Sequence, residues 1–338
     1  MFCLILLQRY IPYHIYQTDN VYICIDLFNT MTLQQLQYIV AVERHRHFLK
    51  AAEECGVTQP TLSAMIQKFE DELDVKIFDR SRQPVEPTEI GLQIINQAKT
   101  VLSNAFQLQD LVNQQRNGLK GELNMGIIPT IAPYLIPDFI SSFVQKYPDI
   151  NLSISELQTR QIIQHLKHSE LHMAILSTPL EDPDLLEIPL YYEKFVAYVS
   201  PREDLYALDE VSYNDMPLKK LWVMQEGHCL RNQVFNFCHD VQKRNNIYEA
   251  GSIDTLVSIV DKSGGYTIIP ELHIPFLSTE QAKNIRPLVR PQATREVSIV
   301  IRPDFIREKL LNAVADTIKK IIPAALLNER LKKYSLKI

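Results

Sequence analysis

From residue 122 onward the apolar stretches keep changing period. "ELNMGII", "INLSISE" and "HMAILS" read as strands, and "APYLIPDFISSFVQKYP" and "QTRQIIQHLKHSE" read as the helices between them. This alternation constrains the fold strongly, because neighbouring parallel strands can be joined only by a crossover, usually helical. "FVAYVS", "KLWVMQE", "RNQVFNFCHDVQKRNN", "DTLVSIVDKSGGYTIIP" and "VSIVIRP" continue the pattern, and a helix from about Phe305 to Ile321 closes it. The expectation for residues 118–338 is a parallel sheet with crossover helices, arranged as two α/β lobes. Lobe I takes 118–191 and 297–338, and lobe II takes 192–296, with crossings near Tyr191 and Val297. Ligands in open α/β sheets sit beyond the carboxyl ends of strands. Pro129 and Thr130 in "GIIPTIAPYLIP", and Thr159 in "SELQTRQ", are placed at such ends.

Ahead of this region the period is helical. Leu33, Leu36, Ile39, Val40 and Val42 share one face of a helix ending near Glu43, and Phe48, Ala51, Ala52 and Cys55 share the inner face of a second. Gly56 supplies a tight turn, and Thr58 caps a third helix whose first turn tolerates Pro60. Leu62, Ile66, Phe69 and Leu73 face inward, leaving Gln59, Thr61, Ser63, Gln67 and Lys68 on other faces. Two short helices with a glycine turn describe a helix-turn-helix. In "VKIFDRSRQPVEPT" a strand, a loop with Arg80 and Arg82, and a return at Val85 form a wing able to reach phosphates. The alternative is a small helical domain with a hairpin that never meets DNA. Net charge is -5 and the pI about 6.0, so a case for nucleic acid has to be local.

Thr88 and Glu89 start a further helix, in which Ile94, Ala98, Val101, Ala105, Leu108 and Val112 recur at spacings of four and three. That is the seam of a coiled coil, or the face of a helix lying on its own domain. A long helix over 88–117 between two domains favours a partner chain, with "NQQRNGLKGE" as the hinge after it.

"LQQLQYIVAVERHRHFLKAAEECGVTQPTLSAMIQKFEDELDVKIFDRSRQPVEPTEIG" resembles the winged helix-turn-helix of LysR-type transcriptional regulators. The "AAE" of the second helix and "TQPTLSAMIQKFEDELDVKIFDR" carry the likeness most clearly. The resemblance implies a DNA-binding domain over 31–88, with Gln59, Pro60, Thr61, Ser63, Gln67, Arg80 and Arg82 at DNA-facing positions. It also implies a linker helix that dimerises, and a regulatory half with the fold of periplasmic binding proteins. The partners to expect are double-stranded promoter DNA, RNA polymerase and a second copy of the chain, in a homodimer or homotetramer.

Two cysteines remain to be placed. In "GHCLRNQVFNFCHD", Cys229 and Cys238 are nine positions apart. Were the whole interval helical, their α-carbons would lie about 13 Å apart at ~1.5 Å per residue, beyond the roughly 4.4–6.8 Å of a disulfide. The two thiols can bond only if the segment refolds. Cys55, Cys3 and Cys24 read as small buried hydrophobes, whereas Cys229 has His228 and Arg231 beside it, groups that favour a thiolate. Zinc does not suit the spacing, and no thioredoxin-type motif is present. Nor do His165, His168 and His172 suggest a metal, since His172 falls beyond the helix and no carboxylate or cysteine is placed to complete a site. No metal or other cofactor is implied.

"EGHCLRNQVFNFC", "GIIPTIAPYLIP" and "ELQTRQ" are similar to the hydrogen-peroxide-sensing members of the same family. That likeness implies a peroxidatic Cys229 and a resolving Cys238, with Pro129, Thr130, Thr159, His228 and Arg231 around the peroxide. It further implies a transcriptional activator in oxidative stress, reset by cellular thiol reductants and not an enzyme. Other readings are a LysR-type regulator that senses a metabolite between the lobes, a thiol peroxidase with a DNA-binding-like domain, and a solute-binding transport protein. Few and unevenly spread cysteines suit a reducing cytoplasm. Residues 1–30 have no basic n-region or cleavage site, and their apolar start is too short for a membrane span. Met31 opens the helical pattern, so 1–30 read as a non-native extension from a misassigned start, or as a poorly ordered tail.

Overall fold

The structure, a computed structural model, describes residues 31–117, 119–227, 230, 231, 234, 250–289 and 292–327. The expected N-terminal extension at 1–30, the pair Cys229 and Cys238, His228, and most of the helix expected around them lie outside the described residues, as does the side chain of Val112. The chain divides into two compact units, one up to Leu102 and one from Ser103.

The first unit has helices α1 (Leu33–His45), α2 (Phe48–Glu54) and α3 (Gln59–Leu73). Thr32 caps α1 in a reciprocal box with Gln35, and Arg46 ends it in the left-handed region. Thr58 caps α3 by accepting from Thr61 N, with Pro60 in the first turn. Leu36, Ile39, Val42, Ala51, Ala52, Leu62, Ile66 and Phe69 make the core. Leu33 and Leu73, expected to face it, are exposed because each sits at a helix end beyond the packed turns.

The wing is shorter than expected: β1 (Phe78–Asp79) pairs antiparallel with β2 (Glu86–Pro87), two residues each. Pro87 has no amide to extend the ladder, and Val85 N turns away to Arg46 O. The buried Glu70 carboxylate fixes the wing to α3, accepting from Ile77 N at 2.8 Å and Phe78 N at 3.1 Å. On the other side α4 (Glu89–Asn117) presses against the wing through Gly91. A Cβ there would lie 2.0 Å from Ile77 O, so only glycine fits.

The expected seam of α4 is corrected in part. Ala98 is buried in its own unit's core, beside Ile95 and Leu102, with Ile94 and Val101 packed at the edge. A spacing of four and three serves an intrachain face as well as a coiled coil. Ala105 is half-buried and Leu108 is 64 % exposed.

The second unit is built on one eight-stranded sheet in the order β4-β3-β5-β10-β6-β9-β7, with β8 also paired to β6. Its strands are β3 (Gly121–Ile127), β4 (Ile150–Glu156), β5 (Met173–Thr178), β6 (Leu186–Val199), β7 (Val211–Ser212), β8 (Tyr266–Pro270), β9 (Ile285–Val289) and β10 (Thr294–Ile301). Helices α5 (Ala132–Lys146) and α6 (Thr159–Lys167) are the crossovers that keep β3, β4 and β5 parallel. The sheet is nonetheless mixed. β10 runs antiparallel to both β5 and β6, because it re-enters from the opposite end. Two hydrophobic cores share β6, and β10 contributes to the first of them. One holds Leu123 to Tyr191 and Val297 to Leu326, the other Phe195 to Ala293.

"KLWVMQE", expected as a strand, forms only isolated bridges, Leu221 with Tyr266 and Met224 with Ala250. Trp222 Nε1 donates to Gly264 O at 2.9 Å, which fixes this stretch beside α7 (Ile253–Ser263). After the short α8 (Thr279–Ala282), the last helix, α9, begins at Glu308 and not Phe305, because Arg307 is buried and donates to Glu122 O. Among the described residues no helix is long and apolar enough to cross a membrane.

Candidate functional sites

The first unit carries a concavity of about 620 Å³ between the α1–α2 turn, the start of α3 and the wing. Gln59, Ser63, Arg80 and Arg82 line it, together with His45, Arg46, His47 and Lys50. These four extra basic groups stand in "RHRHFLK", where the sequence reading looked only for apolar periodicity; their density in six positions was the available signal. Gln59, Pro60 and Thr61 are exposed at the amino end of α3, while Ser63 and Gln67 are half-buried. Gln67 Nε2 donates to Asp71 Oδ1 at 2.7 Å.

Arg80 is less a free phosphate contact than the sequence suggested. Its Nη1 donates to Ser63 Oγ and its Nη2 to Glu70 Oε2, both at 3.2 Å, and its guanidinium lies over the Phe48 ring. Arg82 stays more open, though it pairs with Glu86 at 2.5 Å and Asp79 at 3.2 Å. Its bond to Glu86 pushes the guanidinium pKa up.

In the second unit β3 and β4 end in register, Ile127 opposite Glu156. The chain leaves both strands at the same edge, so Thr130 and Thr159 follow neighbouring carboxyl ends. Pro129 is half-buried and Thr130 fully buried. Thr130 is held by a residue the sequence reading missed: Arg295 Nη1 donates to its Oγ1 at 2.8 Å and Arg295 Nη2 to its carbonyl at 3.0 Å. Arg295 Nε is paired with Glu193 Oε1 at 2.5 Å, both side chains fully buried. The Tyr134 hydroxyl also donates to Glu193 Oε1, at 2.7 Å, and lies 2.9 Å from the Tyr191 hydroxyl. Burial, reinforced by the Glu193 charge, holds both phenols well above the usual range, so they remain neutral donors. The Arg295–Glu193 pair stands between the two cores, the two residues facing each other on the paired strands β10 and β6.

Thr159 opens α6 after a Gln158 and Gln161 capping box, and its Oγ1 is buried without a hydrogen-bond partner among the described residues. Gly227 reaches the same place, in the left-handed region at φ 97°. A Cβ on it would lie 2.4 Å from Gln158 Oε1. The loop that leads on to residues 228 and 229 therefore passes against the start of α6. Arg231 is largely buried, with Nη1 3.8 Å from Glu226 Oε2.

Of the three histidines, His165 bonds a single carboxylate, Glu170, through Nδ1. His172 stands just before β5, where its Nδ1 accepts from Asn124 N at 2.9 Å. Among the described residues no three His, Cys, Asp or Glu groups cluster in a way that could hold a metal ion.

Residues 33–92 match the family model described as bacterial regulatory helix-turn-helix protein, lysR family, and residues 116–321 match the LysR substrate binding domain. The chain belongs to the LysR family. Among its relatives is a hydrogen peroxide-inducible genes activator from Haemophilus influenzae, 32 % identical over 297 residues, covering 86 % of this chain and 99 % of the relative. The Escherichia coli K12 protein named DNA-binding transcriptional dual regulator OxyR is 32 % identical over 290 residues, covering 86 % and 95 %. A solved full-length OxyR from Pseudomonas aeruginosa, carrying a cysteine-to-aspartate substitution, superposes with a TM-score of 0.73 at 33 % identity. It covers 86 % of this chain and 95 % of its own. The fold is therefore that of a LysR regulator, helix-turn-helix first and a two-lobed α/β regulatory half after it.

Proposed function

We propose that this chain is a peroxide-responsive, DNA-binding transcriptional activator of oxidative-stress genes, switched by a reversible disulfide between Cys229 and Cys238. The observation that carries the reading is the approach of Gly227 to Gln158, which brings the loop leading to Cys229 beside Thr159 Oγ1, buried and without a partner among the described residues. An isolated buried hydroxyl costs stability unless a polar partner arrives, and hydrogen peroxide is a partner that both donates and accepts. Thr130, anchored by Arg295, follows the adjacent strand end, and His228 and Arg231 complete the set. The relatives named for hydrogen peroxide-inducible genes support the same ligand.

The chemistry balances without a cofactor. The Cys229 thiolate attacks one peroxide oxygen, the O–O bond breaks, and hydroxide leaves as the sulfur becomes a sulfenic acid. The Cys238 thiol displaces water from that sulfur to form the disulfide. Two electrons pass from two thiols to one peroxide, and a cellular thiol reductant returns them. Closing the bond refolds the segment and biases a two-state regulatory half.

The basic concavity and the amino end of α3 suit promoter DNA, with Gln59, Pro60, Thr61, Ser63 and Gln67 toward bases and Arg82 and Lys50 toward phosphates. Exposed Leu108 on α4 suits a second copy in a homodimer or homotetramer. RNA polymerase is the further partner of an activator, and the cytoplasm its compartment. The test is a promoter footprint of the purified chain with and without peroxide. Cys229→Ser should abolish the peroxide-dependent change, and an undiminished change in that variant would sink the proposal.

A further inference from the structure

One residue on α4 inverts the usual pattern of burial. Gln107 is 7 % exposed, while its apolar neighbours Phe106 and Leu108 are 54 % and 64 % exposed. The hydrophobic effect alone would turn the helix the other way. What holds Gln107 inward is specific hydrogen bonding within the second unit. Its Oε1 accepts from Ile306 N at 3.1 Å, and its Nε2 donates to Asn104 Oδ1 at 3.1 Å. The same Asn104 oxygen accepts from Arg302 Nη2 at 3.1 Å, and Arg302 is held in turn by Asp304 at 2.8 and 2.5 Å. The joint is closely packed: the void beside it, lined by Ser103, Gln107, His172 and Arg302, has about 10 Å³, space for about one water.

Arg302 and Ile306 lie just past the end of β10, and Arg295 lies near its start. β10 is buried along its whole length and paired on both sides, by β5 and β6. Seven residues at ~3.4 Å each separate Arg295 from Arg302, so this one strand spans about 24 Å between Thr130 and the linker helix. We infer that β10 is a relay from the pocket to α4, with Asn104 and Gln107 as the positioning residues that receive its movement. A change of charge or hydrogen bonding at Thr130 acts on Arg295, and the central strand carries it to Arg302. A polar joint suits this task, because its hydrogen bonds can be exchanged for others without exposing apolar surface. The inference rests on the proposed peroxide response.

The test uses the full-length chain and two variants, Asn104→Ala, at an exposed position, and Gln107→Leu, which keeps volume and removes both hydrogen bonds. Two quantities are read: the rate of thiol loss under hydrogen peroxide, and the ratio of promoter affinities in the oxidised and reduced forms. The expected result is an unchanged rate of thiol loss in each variant, with the affinity ratio collapsed at least roughly fivefold, the low end of ordinary coupling between sites. A wild-type ratio in the variants overturns the relay, and so does slowed thiol loss with the ratio intact. If Gln107→Leu does not fold, Asn104→Ala decides alone. A wild-type chain that neither loses thiols nor changes affinity overturns the peroxide reading itself, and the relay with it.

Discussion

Arg295 donates to Thr130 Oγ1 at 2.8 Å across 165 positions of sequence, while the opposite side of its guanidinium neutralises the buried Glu193. One side chain thus serves the candidate pocket and the boundary between the two cores. Arg295→Met should leave Glu193 as an uncompensated buried charge and destabilise the second unit by about 3–5 kcal/mol. Urea unfolding checks this, and the double variant with Glu193→Gln should recover most of the loss. If the double variant were no more stable than Arg295→Met, the pair would not be the cause.

Gly227→Ala places a methyl group 2.4 Å from Gln158 Oε1 and puts an alanine at φ 97°. Gln158 can swing aside, but the backbone cannot keep that conformation without a cost of about 1–2 kcal/mol. The loop should withdraw from Thr159, slowing peroxide oxidation of the thiols about tenfold in stopped-flow mixing, with DNA affinity of the reduced form unchanged. Misplacement by about 1 Å suffices for losses of that size.

His172 is held neutral. Burial, then the charges of Arg307 and Arg302, lowers its pKa to about 4, and its Nδ1 needs a lone pair to accept from Asn124 N. Below its usual pKa of 6.5 the unfolded chain binds a proton the folded chain refuses, so stability rises with pH from about 4 to 6.5 and is lost on acidification across that window. His172→Gln, which retains an acceptor, should flatten the pH dependence of the urea midpoint between those limits. An equally steep profile in the variant would place the titration elsewhere.

Lys50→Ala should weaken promoter binding by a similar factor on any sequence and reduce the slope of log affinity against log salt by about 0.9, the share of one phosphate contact. Fluorescence anisotropy at several salt concentrations measures it. Gln59→Ala should instead relax discrimination between operator and scrambled DNA with the slope unchanged.

The elements that local physics decides were legible in the sequence: the Thr58 cap, the Gly56 turn, the inward face of α3, and the alternation that forces crossovers at α5 and α6. Thr130 and Thr159 could be placed at strand ends for the same reason. Arg295, Glu193 and Tyr134 could not be picked out, because nothing local distinguishes them from other polar residues in strands and helices. Their partners are 57 to 165 positions away. Ala98 lies in its own unit's core because one periodicity fits two burial partners, and the wing is short because Pro87 ends a ladder that β-propensity alone would extend. The direction of β10 followed from where the chain re-enters the sheet, which the pattern of periods does not encode.

Trp222 is the chain's single tryptophan, anchored through its indole to Gly264. Excited at its red edge, the whole molecule emits from this one chromophore, which belongs to the second unit. The helix-turn-helix is optically silent there. Emission melting therefore follows the regulatory half by itself, while far-ultraviolet dichroism sums both halves, and the gap between the two curves measures how far the units unfold as one. The chain carries its own label, and no dye or engineered residue has to be introduced to ask that question.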